Sequence, residues 1–232
     1  MAQGGFPEPF FSQKSNFYAR WSRSHLDLIL RQDLLDLENV RNISQIELLI
    51  ELLKDRVGTP VSYQSLAEDL QVDISTVKRW LLVLENLFVI FRVSPWSKNI
   101  ARAILKTGKY YFYDTGKVVD QVGARFENLV ATEILSALNF YQDTEGRKLS
   151  MCCLRNKEGA EIDFAIIENG KVILMIEAKY ADDKPSKAFL HLKPQGDLPR
   201  AIQLVAGLDR DRQYPFGVEV KDAAKWLENI SF

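Results

Sequence analysis

Cysteine and histidine are scarce, with two of each in 232 residues. The cysteines are adjacent, Cys152 and Cys153, so they staple nothing useful and form no CxxC half-site. A reduced, cytoplasmic setting is expected. His25 and His191 stand far apart and away from the cysteines, which argues against zinc. Long apolar runs are missing too. The longest, Val172 to Ile176, is far too short to cross a bilayer, so no membrane partner is expected. The start MAQGGFPEPF has neither the charged segment nor the apolar stretch of a signal peptide. An excess of one charge is also absent. The formal net charge is -1, so no global field draws the chain to nucleic acid, and any basic surface must be local. No GxxxxGK[ST] occurs. Thr107-Gly108-Lys109-Tyr110 lacks the upstream glycine and the Ser/Thr, so P-loop binding of ATP is not expected. No nucleophile elbow supports serine hydrolase chemistry.

What is present is ordinary globular composition, 47% hydrophobic and 26% charged, in a length that allows one large domain or two small ones. Residues 1–15 are rich in Gly, Pro and Phe and read as irregular. Residues 15–39 read as a helix, with Phe17, Trp21, Leu28 and Leu35 at three- and four-residue steps. SQIELLIELLKDRVG follows, an amphipathic helix with Ser44 as N-cap, Glu47 three residues on and Gly58 at its end. SYQSLAEDL is a second helix, QVD a tight turn, and ISTVKRWLLVLENL a third helix with Ser75 near its start. FVIFRVSPW and KYYFYD then read as strands. Three helices and a hairpin in this order are the layout of a winged helix-turn-helix. For duplex DNA, phosphate contacts would fall to Lys78 and Arg79 on the third helix and to Arg92, Lys98 and Arg102 in or after the wing, with Lys106 and Lys109 near them or merely solvated. Glu85 and the acidic second helix oppose those charges, and packing or protein docking is the competing role.

Beyond residue 116 the pattern changes again. ARFENLVATEILSALNFY is a long helix whose apolar face is Phe126, Leu129, Val130, Ile134, Leu135 and Leu138, with Glu133 solvated. LSMCCLR, EIDFAIIE and KVILMIEAKY are strands. SKAFLHLKPQ is a helix candidate, RAIQLVAG a strand and DAAKWLENI a last short helix. Alternation of strands and helices points to an α/β core. Trp21, Trp80, Trp96 and Trp226 read as core or interface aromatics.

One hairpin carries charges inside apolar strands. Asp163 sits within the first strand, and Glu177 and Lys179 close the second. Alternation puts Glu177 and Lys179 on one face, at the end of a row through Ile173 and Met175. A two-residue Asn169-Gly170 turn pairs Glu168 with Lys171, puts Asp163 opposite Ile176, and sends Glu177 to the other face. A three-residue loop pairs Glu168 with Val172 and sets Asp163 against Glu177 and Glu161 against Lys179. The Asn-Gly dipeptide favours the first register. Shared chemistry needs the longer loop, or a bulge that restores it. If the acids meet, like-charge repulsion and burial penalise both, and Mg²⁺, which takes one or two carboxylates plus waters and phosphate oxygens, relieves the penalty. A lysine on the same face could orient or polarise an attacking water. The plain alternative is an ion-paired strand end, with Glu161 solvated or paired to Lys179.

Ile162-Asp163, thirteen residues, then Glu177-Ala178-Lys179 resemble the PD-(D/E)XK nuclease superfamily, with Ile162 in place of the proline. The resemblance implies that Asp163 and Glu177 bind metal and that Lys179 assists the water. It also implies that Glu127, in RFENLV on the preceding helix, completes the site. More broadly, GGFPEPF, the RW and RQDLLDLENV helix, the winged-helix stretch, RFENLV and EIDF…IEAKY resemble the C-terminal part of prokaryotic AAA-class ATP-binding proteins that carry domain of unknown function 4143. The ATPase core is missing here. The expected organisation is a helical arm (1–42), a winged helix-turn-helix (43–115) and a restriction-endonuclease-like α/β domain with a mixed central sheet (116–232). The arm, if built to pack on an ATPase, would favour a homodimer or a separate ATPase partner. Two functions follow: a Mg²⁺-dependent nuclease-like protein that cleaves or binds DNA, or a non-catalytic docking module that binds protein or nucleic acid.

Overall fold

A computed structural model describes residues 4–12, 14, 16–37, 43–97, 107–118, 121–156, 158–192 and 199–232. The protein is mixed α/β, with eight helices and eight strands among the described residues. Two compact units divide it: residues 1–92 with 109–121, and residues 93–108 with 122–232.

The first unit begins with α1 (Pro7–Ser12) and α2 (Phe17–Leu37). The opening segment is therefore partly helical, not irregular throughout. The Trp21 indole donates to the Glu8 carboxylate at 2.7 Å, and its ring meets Phe6 at 5.1 Å and stacks on His25 at 4.6 Å. This small aromatic cluster ties α1 to α2 without a long apolar face. Helices α3 (Ile43–Lys54), α4 (Tyr63–Leu70) and α5 (Ile74–Asn86) follow. Their buried residues keep helical spacing: Ile46, Leu49, Ile50 and Leu53 on α3, and Val77, Trp80, Leu81 and Leu84 on α5. Ser62 caps α4 by accepting from the Ser65 amide. The turn between α4 and α5 is made by Gln71 in the left-handed region at φ 54°. Asp73, rather than a serine, occupies the N-cap of α5.

Strand β1 (Ile90–Pro95) leads out of α5, and β2 (Lys109–Phe112) lies beside it. All four residues of β2 are buried, Lys109 at 1% exposure, so Lys109 is neither a solvated loop charge nor available to a phosphate. Lys98, Arg102 and Lys106 lie outside the described residues. After β2, a 3-10 turn at Thr115–Lys117 is tied to α2 by side chains. Asp114 accepts from the Tyr18 hydroxyl at 2.8 Å and the Gly116 amide at 3.1 Å, and Lys117 donates to Ser22 Oγ at 2.9 Å. Glycine is required at 116, because a Cβ there would stand 2.4 Å from the Tyr18 ring.

In the second unit, helix α6 (Val122–Glu145) packs on β3 (Leu149–Arg155) and β5 (Lys171–Lys179). Its fully buried stripe is Phe126, Asn128, Val130, Ala131, Ile134 and Leu138, with Leu129 and Leu135 only half-buried. The strands run β1-β3-β4-β5-β6-β8-β7, where β4 is Glu161–Glu168, β6 Arg200–Val205, β7 Arg212–Tyr214 and β8 Val218–Asp222. In this unit β1 enters through Ser94 and Pro95, parallel to Cys152 and Cys153. The β3–β4 and β4–β5 pairs are antiparallel, while β5–β6 and β6–β8 are parallel. Short helices α7 (Ala188–His191) and α8 (Ala223–Glu228) complete the unit. An apolar cluster of Ile162, Ala165, Ile167, Met175, Ala201 and Val218 forms one face of the sheet, covered by Ala188 and Phe189 of α7.

Candidate functional site

The two-residue turn forms as the dipeptide dictates. Asn169 and Gly170 have φ of 51° and 76°, and Glu168 pairs with Lys171. The register then shifts. Ile167 pairs with Val172 but Ile166 with Leu174, so Ile173 is an extra residue in β5. Beyond it Ala165 opposes Met175 and Phe164 opposes Ile176. The loop is therefore not longer than the local signal implies; a bulge does the realigning. It also breaks the apolar row that simple alternation would run through Ile173. A second bulge lies in β4. Cys152 pairs with Ala165 and Leu154 with Ile162, leaving two residues of β4, Asp163 and Phe164, against Cys153.

The Ile173 bulge alone sets Asp163 against Glu177, because the shift in β4 changes its pairing with β3 and not with β5. The Asp163 amide donates to Glu177 Oε2 at 3.3 Å, and the Ala178 amide donates to Asp163 Oδ2 at 3.0 Å. Each carboxylate is thus held by the backbone of the opposite strand. Asp163 is 8% exposed and Glu177 4%. Lys179 Nζ lies 2.8 Å from Glu177 Oε1, with 39% of its side chain exposed. Glu161 pairs instead with Arg155, its neighbour across β3, at 3.7 Å.

Burial, and next the Asp163 carboxylate, push the Glu177 carboxyl up to about 7 against the opposing pull of Lys179. For Lys179 burial acts downward, but Glu177, Asp163 and Glu127 outweigh it, and the ammonium is held more firmly protonated than usual. Glu127, one residue after the buried Phe126, is half-buried at the start of α6 and adds to that field. Among the described residues no three His, Cys, Asp or Glu side chains converge as metal ligands.

The two buried carboxylates, Asp163 and Glu177, are the residues that could hold Mg²⁺, a cation that takes hard oxygen ligands. The site lacks the nitrogen and sulfur donors that zinc prefers.

Gln203 escapes a reading by sequence motif. It stands beside Glu177 in the parallel β5–β6 register and is 0% exposed. Its amide donates to the carbonyls of Asp182 and Lys184, both at 2.9 Å, and accepts from the Ser186 amide at 2.8 Å. It holds the segment that leaves β5 just past the acids. The one available signal was a lone amide in an otherwise apolar strand, RAIQLV.

In the first unit Lys78 and Arg79 are exposed on α5, and Lys78 Nζ lies 5.6 Å from the Tyr63 ring centroid. Arg92 lies within electrostatic reach of Glu85, which burial shifts upward and Arg92 shifts back. Among the described residues no helix is long and apolar enough to cross a membrane.

Residues 122–225 match the family described as domain of unknown function DUF4143. An uncharacterized protein of Mycobacterium tuberculosis and one of Mycobacterium bovis are each 27% identical to the chain over 114 residues, 49% of this chain and 26% of theirs. The match thus spans about a quarter of each relative's length. No solved structure matches. Residues 1–126, more than half of the chain, match the model of a second family, and by that match the protein belongs to the family described as domain of unknown function DUF8612.

Proposed function

We propose that this chain is a Mg²⁺-dependent phosphodiesterase acting on nucleic acid, with its second unit a PD-(D/E)XK nuclease-like domain. The observation that carries the reading is the reciprocal pairing of Asp163 and Glu177. A bulge at Ile173 brings two acids together inside a buried sheet, next to a lysine. Buried like charges cost stability, so such a pair is more economically explained by what it binds than by what it holds together.

The residues divide the chemistry. Asp163 and Glu177 hold the metal, and the backbone amides behind them fix their orientation. When bound, Mg²⁺ supplies charge stabilisation on the phosphate oxygens. Lys179 remains an ammonium at neutral pH because three acids surround it. It therefore acts as a donor that orients water or a phosphate oxygen, not as a base. Water adds its oxygen to phosphorus and releases a proton to solvent, the bond to the leaving sugar oxygen breaks, and that oxygen takes up a proton from solvent. Glu127 supports Lys179 through its charge. Helices α3 to α5 followed by β1 and β2 support a winged-helix reading of the first unit, with exposed Lys78 and Arg79 as duplex contacts.

Cleavage of circular single-stranded DNA, run beside a plasmid, with Mg²⁺ or Mn²⁺ tests this. Wild type should cut and Asp163→Ala should not, at matched folding by circular dichroism. Equal activity of the two proteins would refute it. The absence of a third converging ligand among the described residues favours a second reading, a non-catalytic docking module. Exposed Phe10, Phe11 and Leu28 on α1 and α2 support an arm that meets a second copy or an ATPase. That reading predicts no cleavage by either protein.

A further inference from the structure

We propose that Tyr180 is a base-stacking platform and that the substrate of the Asp163–Glu177 site is single-stranded nucleic acid. The inference rests on the phosphodiesterase reading above and names its substrate.

Tyr180 follows Lys179 directly as the chain leaves β5. Its side chain is large and apolar, yet it is 46% exposed. The ring is not loose: it meets Phe126 at 6.1 Å with an interplanar angle of 73°, and Phe126 is buried. That contact sits one residue from the one that matters electrostatically. Phe126 precedes Glu127, Tyr180 follows Lys179, and Glu127 acts on Lys179. The aromatic pair thus joins the start of α6 to the end of β5 at the rim of the carboxylate site. Tyr180 follows Glu177 by three residues, so their Cα atoms are at most about 11 Å apart.

An exposed, edge-pinned aromatic beside a phosphate-directed site has a specific use. Every base has a π-face, and stacking on tyrosine is strong and tolerant of sequence. In a duplex, both faces of an internal base are covered by its neighbours. In a single strand they are open. A platform here rewards a strand whose phosphate meets Lys179 and whose adjacent base swings onto Tyr180.

Full-length protein is titrated, with EDTA present so that nothing is cut, into a fluorescent single-stranded DNA 12-mer, its duplex and its RNA counterpart. A parallel strand carries 2-aminopurine. Wild type should bind the single strand more tightly than the duplex and quench 2-aminopurine. Tyr180→Leu should lose about 10-fold in single-strand affinity, lose the quench and leave duplex binding unchanged. Tyr180→Phe should retain both signals and serves as the folding control, since the ring and its contact with Phe126 persist. Whichever of DNA or RNA shows the Tyr180-dependent signal more tightly identifies the sugar. Equal single-strand affinity and equal quench in wild type and Tyr180→Leu would overturn the proposal, as would a wild-type preference for duplex. Cleavage insensitive to Asp163→Ala would sink the phosphodiesterase reading instead, while leaving the binding comparison intact.

Discussion

Replacing Glu177 by glutamine should make the protein more stable at alkaline pH, even though it removes half of a hydrogen-bonded carboxylate pair. The folded carboxyl is displaced from its ordinary value of 4.5 to about 7, chiefly by burial and then by Asp163. At about 1.4 kcal/mol per pH unit of displacement, the ionised form costs the fold on the order of 3 kcal/mol. The sign follows from proton binding. Between about 4.5 and 7 the folded state holds the proton and the unfolded state does not, so stability falls as pH rises through this window and is flat above it. Glutamine cannot ionise, and its carbonyl oxygen still accepts from the Asp163 amide. The Lys179 contact that glutamine loses is already inside that figure, because Lys179 draws the carboxyl down against burial. The net gain at pH 8 is therefore on the order of 3 kcal/mol, with little or no gain at pH 4.5. Urea unfolding from pH 4.5 to 8.5 measures it. Because two compact units need not unfold together, hydrogen exchange of β4 and β5 amides assigns the change to the second unit. A wild-type-minus-variant difference that is constant across the range, or that favours wild type as pH rises, would refute the reasoning.

Further outcomes follow from the same geometry. Gln203→Leu leaves two carbonyls and an amide of the 182–186 segment without their partner; about 2 to 3 kcal/mol should be lost, with faster hydrogen exchange confined to that segment and its neighbours. Asn169→Ala forces a Cβ-bearing residue without a local hydrogen-bonding side chain into φ 51° and should cost about 1 kcal/mol by thermal unfolding, whereas Asn169→Gly should be near neutral. Gly116→Ala drives a methyl into the Tyr18 ring and should cost about 1–3 kcal/mol. Combining it with Tyr18→Leu should cost less than the sum, since the clash then disappears.

Much of the architecture was legible because it is local. The spacing of Ile46, Leu49, Ile50 and Leu53, and of Val77, Trp80, Leu81 and Leu84, specifies amphipathic helices whatever they pack against. Strands β3 to β6 announce themselves by apolar runs bounded by turn residues. Two strands did not. Strand β7 is three residues long, and β8, VEVKD, carries more charged residues than apolar ones. Each becomes a strand by pairing at the β6 side of the sheet, a partner that no local pattern names. Helix α1 was hidden by its Gly- and Pro-rich surroundings and is anchored by Trp21, thirteen residues away from Glu8.

For the site, chemistry and position separate. The residue types at 163, 177 and 179 and the Asn-Gly turn are properties of the chain itself, since turn conformation depends on which residues tolerate positive φ. Whether the two acids meet was not decided there. A hairpin read by the turn alone sends Glu177 to the wrong face. Only the assembled sheet, with Ile173 accommodated as an extra residue in β5, turned the strands so that the carboxylates oppose one another. Side-chain alternation has a period of two, so a single inserted residue exchanges the faces, and where that insertion falls is set by packing on both sides of the sheet.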